Sequence, residues 1–152
     1  MNTDENDTPS IAEMMHLDNQ ICFSVYAAAH AFAHAYKPLL APLGLTYPQY
    51  LVMLVLWEND TLSVNEIGQR LGLDSGTLSP LLKRLEVAGR IARKRAEGDE
   101  RRVVISLTPE GKALQKQAET VAAAIGKKTG CTREDAVDLL NRLNLLSAQL
   151  RG

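Results

Sequence analysis

Cys22 and Cys131 are the residues of this 152-residue chain best suited to covalent chemistry. Cys22, Tyr26, Ala29, Ala33 and Tyr36 recur at spacings of 4, 3, 4 and 3, which places them on one side of a helix. Cys22 is expected about one turn into that helix, where the dipole favours a thiolate, the form of cysteine that attacks peroxides. A phenol donating to the sulfur would favour the same form. Tyr36 nevertheless follows Cys22 by fourteen positions, roughly 21 Å along a straight helix, too far for contact within one chain. Two such helices crossing antiparallel at a dimer interface would bring Tyr36 of one chain to Cys22 of the other. A second reading stays open, in which Cys22 is a small hydrophobe in a core stripe.

Two cysteines in a reducing cytosol do not suggest a structural disulfide. His30 and His34 are spaced to share a metal, but no carboxylate or thiol ligand stands beside them. They read as part of the helix, and no metal or cofactor is expected. A cysteine-dependent peroxidase is the enzymatic alternative, yet no Cys-His-acid constellation is present at recognisable spacing.

The elements that position these residues surround a different kind of module, from Ser63 to Gly111. Ser63 with Glu66 forms a capping box, Val64, Ile67 and Leu71 make an inward face, and Gly72 suits a left-handed C-cap. Asp74 caps a second helix, closed by Gly89, whose Leu78, Leu81, Leu82 and Leu85 form one buried stripe. Outward remain Ser75, Gly76, Thr77, Ser79, Pro80, Lys83 and Arg84, a small, polar and cationic face able to approach bases and phosphates in a major groove. Pro80 removes a bond to the Gly76 carbonyl and should bend this helix. Two helices joined by a short turn containing glycine form a helix-turn-helix, the second being the reader.

Arg90–Arg95 and Arg102–Leu107 then read as two strands around the turn-rich AEGDER, a wing. Arg93, Lys94, Arg95, Arg101 and Arg102 flank its turn, with Glu97, Asp99 and Glu100 at the tip. Arg101 is placed to enter a minor groove, with Asp99 bracing the loop or that arginine. Thr108-Pro109-Glu110 restarts a helix. The fold class expected is mainly α with a small β-hairpin wing: a winged helix-turn-helix with N- and C-terminal dimerisation helices.

Asp99-x-Arg101, followed after five residues by Leu107-Thr108-x-x-Gly111, resembles the MarR family of winged-helix regulators, and the similarity extends from about Asp18 to Leu150. The resemblance implies a homodimer on pseudo-palindromic double-stranded DNA, acting as a repressor relieved by a small molecule or oxidant. Ser75, Thr77, Ser79, Lys83, Arg84, Arg93, Arg95, Asp99, Arg101 and Arg102 are the DNA-binding candidates. Within the family, the stretch from 17 to 58 is similar to the organic hydroperoxide resistance regulators (OhrR). That similarity implies Cys22 as the sensing cysteine and Tyr36 and Tyr47 as its tyrosines, while Cys131 matches the second cysteine of the two-cysteine subtype. It further implies that an organic hydroperoxide oxidises Cys22 to a sulfenic acid that condenses with the partner's Cys131. A MarR-type sensor of a small phenolic ligand, with an apolar pocket between dimer and DNA lobes, is the alternative.

Composition agrees with this organisation. Residues 1–60 hold one cation and seven acids, 61–112 ten and seven, and 113–152 six and four, so the chain's net charge of −1 hides a positive reading module. The chain reads as one domain: residues 1–16 acidic and flexible, 17–58 and 112–152 dimerisation helices, 61–111 the winged module. Tyr47 to Gln49 follow a Thr46 cap; Leu114, Ala118, Val121 and Ile125 form one late stripe. After a Thr132 cap come Ala136, Leu139, Leu140, Leu143, Leu146 and Leu150. Apolar faces at both chain ends exceed what a small module can cover, and a second subunit is the expected partner. No run approaches the roughly 18 apolar residues of a membrane span, and the N-terminus has no signal-peptide pattern. A cytoplasmic protein is expected.

Overall fold

The computed structural model describes residues 8–152, with Glu100 by its backbone alone. The acidic run Asp4, Glu5 and Asp7 and the Glu100 side chain lie outside the described residues. Residues 8–16 are more regular than expected: Ser10 and Glu13 form a capping box on a single helical turn, α1 (Ile11–Met14). A 3₁₀ turn at Leu17–Asn19 follows.

The first long helix, α2, spans Ile21–Leu40 and not Asp18–Leu40. Leu17–Asn19 bond in the tighter 3₁₀ pattern and Gln20 is an extended N-cap, so Cys22 is the second residue of α2. A 3₁₀ corner at Ala41–Leu43 leads to α3 (Tyr47–Glu58), started by the expected Thr46–Gln49 capping box. β1 (Leu62–Ser63), α4 (Val64–Leu71), α5 (Ser75–Val87), β2 (Ile91–Ala96), β3 (Asp99–Leu107), α6 (Pro109–Thr129) and α7 (Arg133–Arg151) complete the chain.

Local chemistry explains most of these boundaries. Ser63 Oγ accepts from the Glu66 N–H (3.1 Å) while Glu66 Oε2 accepts from the Ser63 N–H (2.7 Å). Gly72 takes the left-handed cap conformation with φ +67°. Asp74 caps α5, which Pro80 does not break. α5 runs to Val87 with Ala88 as C-cap, and Gly89 closes it as expected: at φ +76° its N–H donates to the Glu86 carbonyl and turns the chain into β2. The hairpin is also tighter than the AEGDER turn suggested. Ala96 pairs with Asp99, leaving Glu97 and Gly98 as the turn, with Gly98 at φ +82°. A two-residue strand, β1, was not foreseen; it pairs with β3, giving the sheet order β1-β3-β2.

Val52, Met53, Leu56, Ile67, Leu78, Leu82, Leu85, Ile91 and Ile105 form a core in which each side chain is at most 2% exposed. α3 runs through its centre. Each such side chain contributes roughly 1.5–3 kcal/mol by leaving water. The Leu114, Ala118, Val121 and Ile125 stripe of α6 is buried as expected. Gly111 explains one element of the family motif: a Cβ there would stand 2.0 Å from the Arg90 carbonyl oxygen. Its own carbonyl accepts from Trp57 Nε1 (2.9 Å), which locks α3 to the start of α6.

α1 and α7 bury nothing, and α2 buries only Leu40. Among the described residues, no single helix is long and apolar enough to cross a membrane.

Candidate functional site

The reading helix and the wing enclose one groove. Ser75 and Ser79 of α5, Arg93 of β2, and Arg101, Arg102 and Val103 of β3 line it, together with Ser63, Val64 and Asn65. Asp74 Oδ1 accepts from the Thr77 N–H (2.8 Å), so the first turn of α5 is fixed by its cap. Ser75, Thr77, Ser79, Lys83 and Arg84 are exposed along this helix, while Leu78, Leu82 and Leu85 are buried behind it. Asn65 was missed at the sequence level because a polar residue in the first turn of a capped helix looks like ordinary surface.

In the wing, Asp99 Oδ1 accepts from the Arg101 N–H (3.0 Å). The carboxylate thus braces the backbone that carries Arg101, as expected. Arg93 lies opposite Ile105 and Arg95 opposite Val103, with a bulge between Arg95 and Ala96 that re-aims the tip. Arg102 has a partner the sequence did not reveal: its Nη2 donates to Glu66 Oε1 at 3.2 Å, joining the wing to the α4 capping box. That contact and the Ser63 N–H hold the Glu66 carboxyl below its ordinary range, the Ser63 bond being the larger cause.

The thiol region is built from other elements, the start of α2 and the α6–α7 turn. Cys22 is exposed, in an open groove with Pro9, Met14 and Gln20. Tyr26 stacks on His30, ring centroids 4.3 Å apart, on the same exposed helix. Tyr36 is different. Its ring packs 4.8 Å from Tyr47 and 5.5 Å from Tyr50, across the corner joining α2 to α3. Burial first, then the neighbouring Tyr50 and Tyr47, push the Tyr36 phenol up to about 12, so at neutral pH it remains a donor. Tyr50 was not singled out from the sequence; its place in an apolar run, YLVMLVLW, reads as core.

Cys131 follows the left-handed cap Gly130. Its N–H donates to Thr129 Oγ1 (3.3 Å), its thiol lies 3.8 Å from the Thr129 carbonyl, and the residue lines a 390 Å³ groove whose walls include Ala28, Phe32, Ala35, Ile125 and Leu139. Ala28 is six residues beyond Cys22, roughly 9 Å along the helix, and the two thiols of one chain are free. A smaller 270 Å³ groove lies between α3 and α6, lined by Tyr50, Leu54, Trp57, Ala118 and Ala122. No group of three or more His, Cys, Asp or Glu that could hold a metal occurs among the described residues.

A helix-turn-helix whose reading helix shares an arginine-lined groove with a β-hairpin defines a winged-helix DNA-binding protein. The profile of the family "Transcriptional regulator SarA/Rot" matches residues 34–118. The chain is 54% identical over 136 residues to the HTH-type transcriptional regulator TtmR of Methylorubrum extorquens (strain PA1), covering 90% of this chain and 70% of that protein. It is 49% identical over 125 residues to the organic hydroperoxide resistance transcriptional regulator of Bacillus subtilis (strain 168), covering 82% and 83%. Among solved structures, reduced AbfR bound to DNA superposes with a TM-score of 0.76 at 38% identity, over 93% of this chain and 99% of that one. The disulfide-formed state of AbfR gives 0.63 at 41% identity, over 89% and 95%. The chain belongs to the SarA/Rot/MarR-type winged-helix regulators; it is a DNA-binding transcriptional regulator and not an enzyme.

Proposed function

We propose that the chain is a dimeric, cytoplasmic repressor that releases its operator when an organic hydroperoxide oxidises Cys22. The observation that carries this reading is the separation of the tyrosine pair from the thiol. Tyr36 and Tyr47 meet at the buried end of α2, while Cys22 stands at the other, exposed end. A second copy crossing antiparallel along α2 would bring each tyrosine pair to the opposite Cys22. The exposed Ile21, Val25, Tyr26 and Phe32 of α2, with Leu139, Leu140 and Leu143 of α7, supply an apolar surface for that copy. Residues 17–58 and 112–152 then form the dimer frame, and 61–111 the reader. The Bacillus relative's name and the disulfide-formed state of AbfR support the same chemistry.

In the reaction, the Cys22 thiolate attacks the terminal peroxide oxygen, giving the sulfenic acid and an alcohol after protonation. The thiol of the partner's Cys131 then displaces hydroxide from that sulfur, forming the disulfide and water. Such a bond requires Cα atoms within about 7 Å; if the reduced dimer holds them farther apart, closing it moves helices and disturbs the one-turn spacing of the reading heads. Ser75, Thr77 and Ser79 face the major groove, Lys83, Arg84, Arg93, Arg95 and Arg102 the phosphates, and Arg101, braced by Asp99, the minor groove.

The test is a band-shift series on a duplex selected by the protein from random DNA. Cys22→Ser should bind that duplex and ignore cumene hydroperoxide, and a variant still released by the peroxide overturns the reading. Cys131→Ser should accumulate the sulfenic acid by mass spectrometry without an intersubunit disulfide. The groove between α3 and α6 favours a second reading, a small phenolic effector, which predicts release indifferent to thiol oxidation.

A further inference from the structure

Arg90 occupies a position where an apolar residue would pack more cheaply. It lies between the end of α5 and the start of β2, and its backbone is held on three sides. The Arg90 N–H donates to the Leu85 carbonyl (2.9 Å), the Arg90 carbonyl accepts from the Thr108 N–H (3.2 Å), and Gly111 passes beneath it with no room for a Cβ. This is the root of the wing. Its side chain turns the other way: Nη2 donates to the Leu43 carbonyl at 3.3 Å, in the corner between α2 and α3. Nη2 also stands 3.8 Å from where a Cβ on Gly44 would sit. Nε is shielded from solvent without a hydrogen-bond partner. No carboxylate among the described residues forms an ion pair with it.

A guanidinium with one weak bond and a shielded unpaired donor contributes little to stability and costs desolvation. Its geometry suits another task. The Leu43 corner joins α2, which carries Tyr36 one turn before its end at Leu40, to α3, which begins at Tyr47, so a rearrangement of the tyrosine pair bears on that carbonyl. Arg90 connects the carbonyl to a backbone segment that cannot yield independently of β2, β3 and α6.

We propose that Arg90 is a positioning residue, a strut by which the tyrosine corner sets the placement of the wing. The proposal rests on the peroxide-sensing reading above, since it assigns the route by which oxidation reaches the DNA-binding face. Loss of the strut leaves the chemistry at Cys22 intact and uncouples it from the operator.

The experiment uses full-length protein and fluorescence anisotropy on the selected duplex, reduced and after cumene hydroperoxide. The quantity read is the ratio of oxidised to reduced Kd. Arg90→Met fills the same space without donors and should lower that ratio about tenfold, with sulfenic acid formation at Cys22 unchanged by mass spectrometry. Arg90→Lys, which can still donate to the Leu43 carbonyl, should recover part of it. A merely structural role would lower the melting temperature and leave the ratio alone, so a wild-type ratio in Arg90→Met overturns the strut. A ratio near one in the wild type overturns the peroxide reading first and the strut with it. If Arg90→Met gives no cooperative melt, Arg90→Leu replaces it under the same criteria.

Discussion

The winged half of the chain closes its own core, whereas the two chain ends do not. Ile67, Leu78, Leu82, Leu85, Ile91 and Ile105 are each at most 2% exposed, and Ser63, Asp74 and Thr108 cap the helices around them. In α7, by contrast, Leu140 is 59% exposed and Leu150 79%. Both regions show clean helical periodicity. The difference lies in what the apolar face meets: α5 packs on α3, α4 and β2 of its own chain, while α1, most of α2 and α7 present theirs outward. Periodicity announces that a face will be buried, and is silent about which molecule buries it.

The comparison can be broken most forcefully at α7. Replacing Leu140 and Leu143 by Asp should leave the winged core intact and weaken self-association by about 4 kcal/mol, roughly a thousandfold in dimer Kd. Sedimentation equilibrium reads this directly, and a variant that stays dimeric at micromolar concentration sinks the assignment of that face. On the other side of the comparison, Gly111→Ala must push its Cβ into the Arg90 carbonyl and should cost about 3 kcal/mol in urea melts. A loss under about 0.5 kcal/mol would mean that the close approach relaxes freely.

Smaller effects sharpen the contrast within the reader. Arg101→Ala should keep the melting temperature and weaken operator binding about tenfold, lowering the slope of log K against log salt by about one. An unchanged slope would remove Arg101 from the minor groove, where its charge displaces counterions from the flanking phosphates. The least effect comes from acid. Asp74 and Glu66 are both held below the ordinary carboxylate range by backbone N–H bonds, from Thr77 and Ser63 respectively. Their contribution is therefore present above about pH 4 and lost as pH falls through the lowered folded values. Asp74→Ala and Glu66→Gln should each flatten the decline of stability in that acidic window, as judged by urea midpoints between pH 3 and 7.

Much of the reader was legible because its signals are local. The Ser63–Glu66 box, the Asp74 cap, the Leu78–Leu85 stripe and the Thr108 cap each depend on residues a few positions apart, and each appears where expected. The boundary errors are also local. The 3₁₀ turn before α2 moved Cys22 from one turn in to the second residue, and a two-residue hairpin replaced the AEGDER turn because β3 continues through charged residues. What was illegible is non-local. β1 has two residues and exists because β3 offers an edge, and the Arg102–Glu66 pair joins residues 36 apart in sequence.

For the thiol site the division is similar. The residue types and the fourteen-position interval between Cys22 and Tyr36 are properties of the chain, and helix rise alone forbids their contact within one straight helix. That Tyr36 meets Tyr47 and Tyr50 depends on the angle of the α2–α3 corner. Likewise, no pattern marks Arg90 as reaching the Leu43 carbonyl, 47 residues away. Caps, stripes and turns arise from bonds that close over three or four residues, so sequence by itself determined them. Partners across the core arise from packing of surfaces whose shapes depend on every element at once, and only the tertiary structure decided those.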